Sequence, residues 1–331
     1  MFKWIKVVTI TLSLLFLSAG TLSAQGESGA DCLIIPPSAR ASGMGLSFSA
    51  LSDDATAIWW NPGGLAFVNL AMDLMHSQLV PDLASDVFYE YLGGAYRLEG
   101  IGTLGFALVY LTYGEWVVTG EDSPEPIGTA QSWEVAPTIS GAIKIMESIG
   151  VGMNLKFIYV SLAPEWATRD RLPGKGHSVA VDLGVLWKIR KFKLFGIHEE
   201  QLNLGLSITN LGPSVVFIDE NQAAPLPRNL RLGVAYTLVF KDFGRLTLVT
   251  DFNRPLVEFD RSNTYHMGGE FVYIDLIAVR GGYMHDHDGN IMDPTYGLGF
   301  IFNNRYRIDW ASVPQSRELG RVHRWSVGIT F

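Results

Sequence analysis

From Leu70 to the last residue the chain repeats one pattern. Apolar and polar residues alternate in runs of seven to fifteen, and turn-forming residues separate the runs. About fourteen such segments can be read, at 70–80, 86–98, 102–114, 132–146, 149–163, 176–190, 202–211, 226–240, 245–253, 264–273, 277–283, 295–302, 306–313 and 322–331. Period-two alternation puts apolar side chains on one face of a strand, and these lengths suit tilted strands that cross a bilayer. The chain is 48% apolar and contains 35 Gly. After residue 24, however, no run approaches the twenty or so apolar residues of a spanning helix. A closed barrel reconciles the two facts, because it presents its apolar residues outward and pairs every backbone group between strands.

The connections sort by parity. Those after the second, fourth, eighth, tenth and twelfth segments are only a few residues long, whereas those at 115–131, 164–175, 212–225, 254–263 and 284–294 are longer and polar. Short turns on one side and long loops on the other mark an outer-membrane barrel. The connection at 191–201 departs from this rule. The expected fold is therefore all-β: a transmembrane antiparallel barrel of about 14 strands over 68–331.

Ahead of it, residues 1–24 read as a signal peptide. Lys3 and Lys6 form its basic end, an apolar stretch follows, and small residues precede a cut near Ala24. Removing Lys3 and Lys6 takes the 25 basic residues to 23 against 33 acidic ones, a formal charge of −10. That balance argues against nucleic acid as a partner. Cys32 is the only cysteine, so no intrachain disulfide is possible, and Gly29-Ala30-Asp31 before it does not resemble the approach to an acylated Cys.

Between leader and barrel, 25–67 is different in kind. Residues 36–67 are rich in Gly and Ala, contain the tandem Trp59-Trp60, and lack the two-residue alternation. The run closes on Asn61-Pro62-Gly63-Gly64, a turn signal in which Pro fixes one φ and Gly permits a positive one. The barrel, for its part, ends on a strand that places Trp325, Val327, Ile329 and the terminal Phe331 on one face. Such an ending resembles the signal read by the outer-membrane barrel assembly machinery.

Spaced motifs then point to a family. Ala39-Arg40-Ala41, Gly43-Met44-Gly45, Asp53-Asp54-Ala55 and Trp60-Asn61-Pro62-Gly63-Gly64 open the set. Asn210-Leu211-Gly212-Pro213, Leu226-Pro227-Arg228-Asn229, Gly268-Gly269-Glu270, Arg280-Gly281-Gly282-Tyr283, Ile308-Asp309-Trp310 and His323-Arg324-Trp325-Ser326 continue it. In this order they resemble the PorV/PorQ family of outer-membrane proteins, related to the FadL-type hydrocarbon transporters. The family usually reads Asn-Pro-Ala-Gly where this chain has Gly63. The resemblance implies a fourteen-stranded barrel with the N-terminal segment folded inside as a plug or hatch. Asp53, Asp54, Trp59, Trp60, Asn61, Pro62, Gly63 and Gly64 are then the plug or gate candidates. The plainer alternative is an ordered extension that caps the periplasmic rim.

Chemistry-bearing constellations are sparse. His285-Asp286-His287-Asp288-Gly289-Asn290 has metal-ligand residue types but matches neither a calcium loop nor a zinc motif, and reads as a solvated turn. No phosphate loop, nucleophile elbow or assembled triad emerges. No catalytic residue, metal or cofactor is expected, and the chain reads as a non-enzyme. Asp182, on an apolar strand, is expected to face a polar lumen. Trp116, Trp133, Trp166, Trp187, Trp310 and Trp325 read mainly as interfacial girdles.

Three functions stay open. The resemblance implies a bacterial outer-membrane protein that binds secreted proteins through their C-terminal β-domains in type IX-like secretion. Passage of a hydrophobic ligand through a FadL-like lumen is the second, and a purely structural outer-membrane role the third. Outer-membrane lipid and the assembly machinery are the remaining expected partners.

Overall fold

The structure, a computed structural model, describes residues 28–120, 125–168, 171–189, 194, 196, 199–217, 223–241, 243–257, 261–315 and 319–331. The expected leader and its cleavage point lie outside the described residues. The strands are β1 Leu70–Gln78, β2 Val87–Leu98, β3 Gly102–Thr119, β4 Pro126–Met146, β5 Ile149–Ala163, β6 Gly174–Ile189 and β7 Glu199–Leu211. They continue as β8 Asn229–Phe240, β9 Gly244–Pro255, β10 Thr264–Tyr273, β11 Ile277–Asp286, β12 Ile291–Phe302, β13 Tyr306–Pro314 and β14 Arg321–Thr330. Each pairs antiparallel with its neighbours in sequence, and β1 pairs with β14, so the sheet closes as a barrel with no free lateral edge.

Alternation decides which face each residue takes. On β14, Trp325 and Val327 lie exposed on the outer wall while Arg324 and Ser326 are buried inside. Leu104, Phe157, Leu232, Met267, Val279, Leu298 and Ile308 continue the apolar outer belt. Outward aromatic rings form chains near the two rims, as interfacial residues should. Phe88, Tyr110, Trp133 and Tyr159 are linked at 5.3–6.3 Å toward the long-loop end. Phe243 meets Phe271 and Tyr273 at the other end.

Two of the expected long loops turn out to be mostly strand. Residues 115–119 of β3 pair with 126–131 of β4 as a ribbon, and His285 and Asp286 belong to β11. The β-branched and aromatic run Trp116-Val117-Val118-Thr119 finds a partner in 126–130 and so remains extended. Ten or so residues suffice to cross the membrane, and the 18 residues of β3 and 21 of β4 therefore project beyond it.

Residues 36–67 lie within the barrel rather than on its rim. They form two short helices, α1 Ala39–Gly43 and α2 Ala57–Trp60, and a 3-10 stretch Pro62–Phe67. Their backbone lies directly on the inner wall where the wall has no side chains. Three glycine pairs face each other across adjacent strands: Gly268–Gly282, Gly205–Gly233 and Gly152–Gly184. A Cβ on Gly268 or Gly282 would overlap the backbone of Met44 and Gly45. One on Gly205 or Gly233 would overlap Ser49, and one on Gly152 or Gly184 would overlap Pro62 or the Asn61 side chain. These cross-strand glycine pairs are thus the bed of the plug.

Gly152→Ala is accordingly expected to destabilise the folded barrel by ~1–3 kcal/mol, the usual cost of overpacking. Gly141→Ala, where an added Cβ meets nothing within 4 Å, serves as the neutral control. The heat-dependent electrophoretic mobility shift of the barrel reads the difference.

Candidate functional site

Hydrogen bonds fasten the plug to most strands. Asp251 of β9 accepts from the backbone N–H groups of Phe48 and Ser49 at 3.1 and 3.0 Å. Asp73 of β1 accepts from Ala55 at 3.0 Å, and Tyr91 of β2 donates to the Ala55 carbonyl. Asn154 of β5 donates to the Ile58 carbonyl at 2.6 Å, and Ser207 of β7 to that of Trp60 at 3.0 Å. The Asn61 amide donates both to Ser49 within the plug and to Val185 in the wall, each at 2.9 Å. Its oxygen accepts from Gly63, which closes the turn. Short helices that could not stand alone are held by the wall.

Toward the short-turn end the lumen contains a buried ion-pair network. Arg40 bonds Asp53 at 2.7 Å and grips Glu270 through two nitrogens at 2.9 Å. Arg280 lies 2.7 Å from Glu270 and 2.8 Å from Asp309. Arg307 joins Asp54 at 3.0 Å to Asp73 at 2.9 Å. Three guanidiniums therefore tie two plug carboxylates to four strands. Burial alone would work against the Arg40 charge, but the carboxylates of Asp53 and Glu270 hold its proton more tightly than usual. Burial likewise opposes the Asp53 carboxylate, and adjacent Arg40 more than offsets this, so its pKa lies below the ordinary 3.8. A cleft of about 330 Å³ opens from this network toward the short turns at Asp275 and Asn304.

At the opposite end, among the long loops, lies a chamber of about 460 Å³. Leu46, Trp59 and Trp60 line it from the plug side, with Leu33, Ile34, Leu226 and Val313 on the walls. The two indoles meet edge to face at 4.6 Å, and Phe48 packs 6.0 Å from Trp60. The Arg231 guanidinium lies 4.1 Å over the Trp59 ring. Chamber and cleft share no lining residue among the described residues. Plug backbone and the ion pairs stand between them.

The candidates chosen from sequence divide between these two places. Asp53 and Asp54 enter the ion-pair network, Trp59 and Trp60 line the chamber, and Asn61, Pro62, Gly63 and Gly64 sit against β5 and β6 or within the plug. Asp182 is buried facing the lumen, 2.9 Å from Lys156. Arg40, Glu270 and Arg280 were visible only as motif letters, and Arg307 was not singled out. For Glu270, Arg280 and Arg307 the available signal was a charge at an inward position of an otherwise apolar strand. At the outer end of β11, Asp286 and Asp288 accept hydrogen bonds from Gly289 and Ser262. Among the described residues no three metal-ligand groups converge.

Comparison with known proteins follows from this geometry. The model of the family described as "Type IX secretion system protein PorV" matches residues 26–261. The chain belongs to the PorV family. Among solved structures, the P. putida toluene transporter TodX is similar at 11% identity over 93% of this chain and 99% of TodX, with a TM-score of 0.53. The monoaromatic hydrocarbon channel CymD is similar at 13% identity over 88% and 96% of the two chains, with a TM-score of 0.51. At such identities these two share the fold of this PorV-family barrel. A search of curated protein sequences returns no match. With barrel and family together, the protein is an outer-membrane barrel of the PorV family.

Removing one member of the buried network strands the others. Arg40→Ala is expected to loosen the plug by ~3–5 kcal/mol, read as faster proteolysis within residues 36–67 of detergent-solubilised protein. Because the Asp53 pKa is lowered on folding, its contribution is present above about 3.8 and is lost as pH falls through the lowered value. The Asp53 share of plug protection should be lost below about pH 4. Asp53→Asn should weaken the plug at neutral pH and flatten that acid limb.

Proposed function

We propose that this barrel holds exported proteins at the outer face of the membrane, as a cargo-binding component of type IX-like secretion. The observation that carries the reading is a chamber that is blind at its inner end. It opens among the outer loops and ends on the Trp59-Trp60 floor, and the ion-pair network beneath it ties the plug to the wall. A pocket of this kind suits docking at the surface better than passage through the lumen. The ribbon of β3 and β4, at the same long-loop end of the barrel, adds an extended surface on which Val117 and Ile127 are exposed. Membership of the PorV family supports the same reading. On it the plug is a seal, and the Asn61-Pro62-Gly63-Gly64 turn is its most firmly seated part. The reading involves no catalytic step.

One observation favours a second reading. The chamber floor is apolar and aromatic, as a hydrophobic small molecule would require. To cross the barrel, such a molecule would need the Asn61 turn to leave its glycine bed and the Arg40–Glu270 contact to part.

The two readings separate in cells. Purification of the tagged native protein should recover exported proteins that share a C-terminal β-domain. Deleting the ribbon tip at 117–128 should lower that recovery several-fold while barrel assembly is unchanged. Recovery of no such protein, together with ligand uptake that depends on an intact Trp59, would replace docking with transport.

A further inference from the structure

Two buried arginines in the outer chamber differ from those below. Arg231 and Arg324 are 8% and 6% exposed and line the chamber. Neither has a carboxylate within ion-pair distance among the described residues, whereas Arg40, Arg280 and Arg307 each have at least two. Arg231 rests on Trp59 and reaches only its carbonyl, at 3.4 Å. Arg324 donates to the Pro36 carbonyl at 2.9 Å and the Ser42 hydroxyl at 3.0 Å. Its Nε, and that of neighbouring Arg228, are buried with no acceptor. A guanidinium stays charged in a protein, and a buried charge is costly without a counter-ion. Asp286 is the one acid among the described lining residues, and it accepts from Gly289 at the outer turn. The chamber thus has positive charge to offer an anion.

It also has acceptors to offer a donor. The side-chain oxygens of Asn229 and Gln315 are buried and receive no hydrogen bond from the protein, and both residues line the same chamber. An aliphatic carboxylate would meet the arginines and leave these two amides unmatched, at a cost for each buried unsatisfied group. A peptide terminus carries backbone N–H groups, apolar side chains and a carboxylate together. At about 460 Å³ the chamber equals roughly fifteen water volumes at ~30 Å³ each, enough for a short chain end and too little for a folded domain.

We propose that the chamber captures the free carboxyl terminus of an extended, apolar peptide, with Arg231 and Arg324 receiving the carboxylate and Asn229 and Gln315 receiving backbone N–H groups. The proposal rests on the protein-docking reading and names the part of the cargo that docks. It assigns Trp59 and Trp60 to the bed under the terminal side chains.

The test is binding of defined probes to the full barrel in lipid nanodiscs. The probes are an N-acetylated, fluorescent tetrapeptide of Leu, Val and Phe with a free carboxyl terminus, its C-terminal amide, and dodecanoate. The free acid should bind, and amidation should weaken it on the order of tenfold or more, the worth of one charge-assisted hydrogen bond. Dodecanoate should fail to displace it at equal concentration. Arg324→Gln should abolish the preference for acid over amide. Should that variant not assemble, Gln315→Ala must weaken both peptides several-fold. Equal affinity for acid and amide, displacement by dodecanoate at equal concentration, or no effect of Gln315→Ala would each overturn the proposal. The docking function can fail separately. Recovery of cargo whose blocked carboxyl terminus binds unchanged would sink this proposal alone. Tight peptide binding with no recovered cargo would sink the docking function alone.

Discussion

Close approach of two backbones is the constraint on which the rest depends. A fourteen-stranded barrel encloses more space than its inward side chains fill, and here a peptide segment fills it. The segment can lie flat only where the wall has no Cβ. Cross-strand glycine pairs on β5 and β6, β7 and β8, and β10 and β11 provide three such places. Once the backbone is there, its N–H and C=O groups are within reach of Asp251, Asp73, Asn154 and Ser207, and its buried polar groups find partners in the wall. The same path sets Trp59 and Trp60 against the outer chamber and Asp53 and Asp54 against the inner arginines.

Electrostatics then divide the lumen into two halves. On the short-turn side, arginine and carboxylate are interleaved, with Glu270 held between Arg40 and Arg280. Breaking any contact there leaves a buried charge, so the arrangement favours a single seated position of the plug. On the outer side, Arg231 and Arg324 make only neutral contacts with carbonyls, a hydroxyl and aromatic rings. One half pairs its guanidiniums with carboxylates, while in the other Arg231 and Arg324 have none within ion-pair distance among the described residues. This asymmetry distinguishes the two ends of the lumen, which the nearly uniform apolar belt does not.

Much of this was legible in the sequence, and the reasons are local. Alternation and turn residues located all fourteen strands, because the face of a strand residue depends only on its parity. Loop parity separated the short-turn end of the barrel from the long-loop end. The 115–131 ribbon was read as a loop because its polar tip interrupts the alternation, although 115–119 and 126–131 pair with each other. The abundance of glycine was plain in the composition, but the pairing of glycines depends on register across the closed sheet, which no single segment encodes. The ion pairs were hidden for the same reason, since Arg40 and Glu270 are 230 residues apart. Asp53 and Asp54 were chosen for their charge and Trp59 and Trp60 for their position in the plug. Arg231 and Arg324 were missed because each looks like an ordinary surface charge until its strand face is known.

The central claim is that residues 43–63 are seated on the glycine bed as firmly as a strand is seated in the sheet. Hydrogen–deuterium exchange of the full barrel in nanodiscs tests it most directly. The amides of Phe48, Ser49, Ala55 and Gly63 should exchange over hours, as slowly as those at the centres of β5 to β11. Exchange of these four within seconds, beside protected barrel strands, would contradict it.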